Sequence, residues 1–239
     1  MKRALYNVDG ISVPIDIRSY EEMHGISMCC IALNEEKEIA EFLKYHKPYV
    51  DEIILIDGGS IDRTVEFATG LADTIRIRKF DGHYSNQANR AVELASKDWI
   101  LLLDCDERLE PQLLKKLRTM TDQDEYDCYA FPRLNYIDGV IKEDDYPDYQ
   151  ERLYRAYCRR VRPVHGEVVG YKKKKLIEPI AGSHIIHDKT AYRHSDRNTN
   201  YQLFNLCFKH ELGEPGSQMK ETFEAANPTV DDKNFTIKQ

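Results

Sequence analysis

Three acids fall within four positions, Asp104, Asp106 and Glu107, in the stretch WILLLDCDERLE at residues 99–110. Two aspartates one residue apart, at the tip of a buried strand, can both face one hard cation. Mg²⁺ or Mn²⁺ takes one or two protein carboxylates and fills its other positions with phosphate oxygens and water. Such a metal neutralises a departing diphosphate as a Lewis acid. The competing reading is plainer: Asp106 or Glu107 stabilises the dipole of the helix that follows. A D-x-D pair alone does not decide between them.

The elements around these acids carry the next part of the reading. From residue 26 to residue 130, short apolar runs alternate with helical periods. ISMCCIAL, DEIILID, DTIRIRKF and DWILLLD read as strands. NEEKEIAEFLKYH, GGSIDRTVEFATGLA and NQANRAVELASK read as helices, and Pro111 opens a further one with Leu113, Leu114 and Leu117 on its apolar face. Strand–helix alternation with strands apolar on both sides implies a parallel sheet covered on both faces. Ligands of such sheets bind outside the carboxyl ends of the strands. That places the chemistry in four loops: Asn34-Glu35-Glu36, Asp57-Gly58-Gly59-Ser60, residues 80–86, and Asp104-Cys105-Asp106. Glu36 also suits a helix N-terminus.

From about residue 126 the pattern changes. YDCYAFPRLNYIDGVIK reads as two strands around a turn at Asp138-Gly139. ERLYRAY alternates like a strand, KKLIEPIAGSHIIH is strand-like with a break at proline, and NTNYQLFNLCFKHEL reads as a C-terminal helix. Residues 1–24 have no clear period and stand as an N-terminal extension. Residues 213–239 are polar and rich in turn formers, the composition of a flexible tail.

Composition narrows the function classes. The chain of 239 residues is long enough for one large α/β domain with a proper core. Charged residues make up 31%, so the surface is polar. No apolar run reaches the roughly 18 residues that span a bilayer. The first residues lack a signal-peptide pattern. The six cysteines form no CxxC pair and lie mostly in apolar runs, which predicts reduced core thiols and a cytoplasmic setting. No GxGxxG and no GxxxxGK[ST] occurs, which argues against a dinucleotide oxidoreductase and a P-loop nucleotidase. The net charge of −7 speaks against nucleic acid as a partner; only CRRVR and YKKKK, residues 158–162 and 171–175, would make a local basic patch. The lysine run also leaves open a peripheral contact with an anionic membrane surface, at the inner face of a membrane.

Four motifs in order carry a resemblance. CCIALNEEKEIAEFLKYHKPYVDEIILIDGGSIDRTVEFA, then NQANRAVELASKDWILLLDCDERLEP, then PDYQERLYRAY, then VHGEVVG resemble the family 2 glycosyltransferases. Within that family the look is nearest to small bacterial enzymes that add sugars to lipopolysaccharide core. The resemblance covers roughly residues 26–190. It implies the GT-A fold: a Rossmann-like, mostly parallel sheet flanked by helices, with a smaller mixed or antiparallel acceptor-side sheet. On this reading residues 25–125 form the nucleotide-sugar-binding half, and residues 126–212 the acceptor-side half of the same domain.

The resemblance also implies roles. Asp57 takes the position that contacts the base or ribose, and Asn34 and Glu35 also touch the nucleotide. Asn89 and Arg90 reach toward the diphosphate. Asp106 is the first metal ligand for Mn²⁺ or Mg²⁺, with Asp104 shared between ribose and metal, and His187 as a further ligand. His184 and His194 flank it in a histidine-rich run. Arg152 matches the arginine of the family's RLFR pattern and orients the base or a phosphate. An inverting transfer needs a base for the acceptor hydroxyl. Many members carry a His-Glu pair here, whereas this chain has His165-Gly166-Glu167. Glu167 is the first candidate and His165 the second. The donor implied is a nucleoside diphosphate sugar, UDP-linked in first place, and the acceptor a glycan, a glycolipid or another hydroxyl. Two rival readings keep the fold: glycosylation of a protein or a modified nucleic-acid base, and a non-catalytic nucleotide-sugar scaffold.

Overall fold

The computed structural model describes residues 23–144, 146–164 and 166–189 in full, and the backbone of three further strands at residues 2–8, 11–17 and 236–237. The expected helix in residues 198–212, His165, His194 and most of the polar tail lie outside the described residues. Two of the three backbone strands, β1 (Lys2–Val8) and β2 (Ile11–Ile17), pair antiparallel as a hairpin in the stretch that had no readable period.

Four strands form the expected parallel core: β3 (Ile26–Ala32), β4 (Glu52–Asp57), β5 (Thr74–Ile77) and β6 (Trp99–Asp104). Their order is β5-β4-β3-β6, and every neighbouring pair is parallel. Alternation divides their side chains between two layers. Met28, Cys30, Ile53, Leu55, Leu101 and Leu103 face one layer, built with α1 (Ile39–His46) and a later helix, α4 (Pro111–Thr121). Cys29, Ile54, Ile56, Ile100 and Leu102 face the other, under Ala88, Ala91 and Val92 of α3 (Tyr84–Leu94). The helix expected after Asp57 is only the short α2 (Thr64–Ala68), because the preceding residues are used in a turn described below. Five cysteines, all but Cys207, are described, and each is buried with a free thiol.

The second half joins the same sheet edge to edge. β8 (Cys128–Ile137) turns at Asp138-Gly139 into β9 (Val140–Ile141), with both turn residues at positive φ, 50° and 74°. That is the geometry that favours Asp-Gly in two-residue hairpins. β10 (Asp148–Arg155) lies antiparallel to both β6 and β8 and so stitches the halves together. β13 (Lys174–Leu176) and β14 (Ile185–Lys189) run parallel to β8. β11 (Arg159–Val161) and β12 (Glu167–Val169) make a separate antiparallel pair. At the far edge β15 (Thr236–Ile237) lies antiparallel to β5.

One expectation is corrected. Glu107 does not open the helix after the acids; it begins a short strand, β7 (Glu107–Leu109), paired antiparallel with β14. The helix waits until Pro111. The reason is burial: Glu107 and Leu109 are both fully buried, so an extended segment satisfies their backbone by pairing instead of by a helix cap. Among the described residues no helix is long and apolar enough to cross a membrane.

Candidate active site

A cleft of about 930 Å³ opens where β6 meets the strands of the second half. Asp104, Arg152, Glu167 and His187 line it, with Arg133, Asp148 and Arg160, which the sequence did not single out.

The reversal from β6 to β7 puts the three acids in three different places. Asp104, about one third exposed, accepts a hydrogen bond from Arg152 Nη2 at 2.7 Å. Asp106 turns inward and lies with its Oδ2 3.5 Å from His187 Nε2. Register explains that meeting: His187 of β14 stands opposite Glu107 of β7 and beside Asn135 of β8. The other imidazole nitrogen, Nδ1, lies 2.7 Å from Asn135 Oδ1, so the ring is oriented from behind. Asp106 and His187, 81 positions apart in sequence, therefore form one buried pair. His184 is engaged elsewhere, with Nδ1 3.1 Å from Glu110 and Nε2 2.9 Å from Tyr146 Oη.

Glu107 is the hub beneath them. Its Oε1 accepts from Arg152 at 2.6 Å and from Arg133 at 2.9 Å, and its Oε2 accepts the Asp104 backbone N–H at 3.2 Å. Arg133 in turn grips Asp148 through Nε and Nη2, at 2.9 and 2.6 Å. Burial opposes the charge on Arg152 and Arg133. Their carboxylate partners outweigh it, so both guanidiniums are held above the usual arginine value. Asp148 feels burial too, yet Arg133 and the amides of Asn135 and Gln150 pull its carboxyl below the usual range. Arg152 reaches this hub from an irregular place in β10, where the register slips between Glu151 and Leu153. A bulge that re-aims a side chain is common beside active sites.

The first two loops are braced to each other. Asp57, buried at the end of β4, accepts the backbone N–H groups of Gly59 and Ser60 at 2.9 and 2.8 Å and the Ser60 hydroxyl at 2.5 Å. Ser60 Oγ also accepts the Asn34 N–H, and Asn34 Oδ1 accepts the Ile61 N–H, both at 2.9 Å. Asn34 adopts a left-handed φ of 55° to do so. The buried Glu35 donates its backbone N–H to Thr64 Oγ1 at 2.7 Å, and Glu36 N–H meets Asp62 at 3.1 Å. Asn89 and Arg90 sit on α3. Asn89 exchanges two hydrogen bonds with the Arg160 backbone, at 2.8 and 2.9 Å, and Arg90 pairs with Glu93 at 2.6 Å.

Glu167 begins β12 at the cleft rim, half exposed, with Arg162 Nη2 3.0 Å from its Oε1. Arg162 holds a left-handed φ of 76°. The hydroxyl of buried Ser85 steadies that backbone by donating to the Arg162 carbonyl at 2.6 Å.

The sequence missed Glu107, Arg133, Asp148 and Arg160 as site residues. Arg133 and Asp148 are cross-strand partners in the β8–β10 register, a signal visible only once the pairing is known. Among the described residues no group of three or more His, Cys, Asp or Glu side chains is arranged to hold a metal. A carboxylate and an imidazole do meet at Asp106 and His187. Two protein donors suit a cation whose other positions are taken by substrate phosphates and water.

The chain is also similar to known proteins. Residues 27–198 match the family model described as Glycosyl transferase family 2. An uncharacterized glycosyltransferase of Rickettsia typhi is 31% identical over 64% of this chain and 48% of its own length. The MG060 homolog of Mycoplasma pneumoniae, also an uncharacterized glycosyltransferase, is 34% identical over 66% of this chain and 58% of its own. The chain thus spans about half the length of these curated relatives. Among solved structures, S. aureus TarS residues 1–349 in complex with UDP superposes with a TM-score of 0.51 at 13% identity, covering 69% of this chain and 60% of that one. At such identity the likeness is one of fold.

Proposed function

The chain belongs to glycosyl transferase family 2 and has its GT-A fold, and on that premise we propose that it moves a sugar from a nucleoside diphosphate sugar, with UDP as the nucleotide, to an acceptor hydroxyl. The transfer inverts the anomeric carbon in a single displacement. The observation that carries this reading is the convergence of Asp104, His187 and Glu167 on one cleft, with Asp106 touching His187.

Residues 25–125 serve the donor and residues 126–212 the acceptor. The braced pair of loops at Asn34 and Asp57 is a preformed rim for the nucleoside. Preformed loops lose less entropy on binding than loops that must order. Asp106 and His187 would hold a divalent cation, Mn²⁺ or Mg²⁺, which when bound neutralises charge on the diphosphate. Arg152, fixed by Glu107, holds Asp104 at the cleft edge. Glu167 takes the proton of the acceptor hydroxyl as that oxygen bonds to the anomeric carbon. The bond from that carbon to the diphosphate oxygen breaks, and its electron pair leaves with the nucleoside diphosphate. Arg162 Nη2, 3.0 Å from Glu167 Oε1, holds that carboxylate at the cleft rim.

The test is transfer and hydrolysis from a panel of UDP-, GDP- and dTDP-sugars with Mn²⁺ or Mg²⁺. One donor should turn over and its nucleotide should raise the melting temperature. Asp106→Asn with turnover and metal dependence both intact would overturn the reading. Nucleotide binding with no turnover under any donor, and indifference to Glu167→Ala, would point to a non-catalytic binding role.

A further inference from the structure

Arg160 differs from the other two arginines that line the cleft. Arg133 and Arg152 are each locked to two carboxylate side chains. Arg160 forms no ion pair among the described residues. Its Nη1 donates to the Glu151 carbonyl at 3.2 Å and its Nη2 to the Gly166 carbonyl. Protein surrounds it on the other sides, and burial together with nearby Arg152 pushes its pKa below the usual arginine value. The charges of Asp104 and Glu151 pull the other way without restoring it, so part of the desolvation cost of this guanidinium is left uncompensated. The open side of Arg160 is the cleft.

The glycine between His165 and Glu167 is part of this arrangement. A Cβ on Gly166 would lie 2.6 Å from Ser85 Oγ, 3.1 Å from the Val161 carbonyl and 3.3 Å from Arg160 Nε. Only a residue without a side chain lets the chain close over the guanidinium and present its carbonyl to it. Charge in the lining points the same way. In a chain of net charge −7, the cleft wall carries six lysines and arginines against four aspartates and glutamates. Position puts Arg160 on the acceptor side: it is held by Gly166 and Glu151, next to Glu167, whereas His187 lies on β14 beside β8, with Asp106 against it.

We propose that Arg160 is an oxyanion-binding residue for the acceptor, so that the acceptor is an anionic molecule carrying a phosphate or a carboxylate near the hydroxyl that receives the sugar. This rests on the glycosyltransferase reading of the cleft. A planar guanidinium is suited to such groups because it offers paired donors that match two oxygens. Gly166 acts as a positioning residue by keeping Arg160 turned into the cleft.

The experiment separates donor from acceptor. The full chain, with Mn²⁺, is titrated with UDP, and the UDP-bound protein is then titrated with inorganic phosphate and, in a parallel arm, with glucuronate. The wild type should bind one of the two anions with UDP in place, and which one binds names the source of the charge. Arg160→Gln should weaken that anion about tenfold or more while UDP affinity stays within about twofold. Arg160→Lys should recover part of it, and Gly166→Ala should weaken it with Arg160 still present. The proposal is overturned if neither anion binds the UDP-loaded protein, if Arg160→Gln leaves anion affinity unchanged, or if it weakens UDP as much as the anion. If Arg160→Gln does not fold, the Arg160→Lys and Gly166→Ala titrations decide by the same criteria. Absence of UDP binding to the wild type counts against the donor reading instead; the anion titrations are then read on the protein without nucleotide.

Discussion

Two walls at the carboxyl ends of the parallel strands are built by different means, and only the second lines the cleft. On the side of Asn34 and Asp57, order is local in space: side chains cap backbone groups within one turn or on the adjacent loop 26 to 29 positions away, and the two loops share Ser60 and Thr64. On the side of Arg133, Arg152 and Glu107, order comes from ion pairs between residues 15 to 48 positions apart. The first wall can form as soon as its strands do. The second exists only when β6, β7, β8 and β10 are all in register. A ligand that needs a rigid rim suits the first, and charge placed under the reacting groups suits the second.

That contrast can be broken at several points, beginning with the largest effect. Glu167→Gln should lower kcat by about 10²–10⁴-fold with UDP affinity retained, because it removes a proton acceptor and little else. Stopped assays and equilibrium binding on the same sample check this, and retained turnover would take the base role from Glu167. Glu107→Ala should cost about 3–5 kcal/mol in urea unfolding, since it leaves Arg152 buried without its main partner. A loss below ~1 kcal/mol would mean that the ion-pair wall is not what holds that side together.

The local wall should be cheaper to disturb. Asp57→Ala removes a carboxylate that accepts three hydrogen bonds in one turn, which predicts a loss of about 1–3 kcal/mol and weaker UDP binding. A fourth test uses pH. Burial in the core holds His46 down to about 4, below its unfolded value of about 6.5. The unfolded chain therefore takes up the proton first as pH falls. Stability from this group is complete above about pH 6.5 and is lost progressively as the pH drops toward 4, by about 3 kcal/mol. Denaturation midpoints across that window, compared with His46→Leu, isolate the effect. The smallest change belongs to the surface. Lys173→Ala breaks an exposed pair with Glu125 and should leave the denaturation midpoint where it is.

Much of the parallel half was legible because its signals are local. ISMCCIAL, EIILID and WILLLD are buried on both faces, so they read as unbroken apolar runs, and Pro111 marked its helix. The short strand at Glu107 was not legible. An acid after D-x-D looks like a helix cap until its burial against Arg133 and Arg152 is known. The weak amphipathy of β11 and β12 hid them as well, since each has three residues and only Val168 among them is buried.

The sequence by itself determined the order of strands and helices in the parallel half and placed Asp104 and Asp106 at a strand end, while Glu167 was singled out by the family resemblance. Periodicity and loop position depend on near neighbours, so a linear reading reaches them. Which acid meets which partner was decided only by the tertiary structure. Asp104 faces Arg152, Asp106 faces His187, and Glu107 lies beneath both because β7 pairs with β14 and β10 lies beside β6. Ion pairs act over a few ångströms, and only the strand register brings residues so distant along the chain within that range.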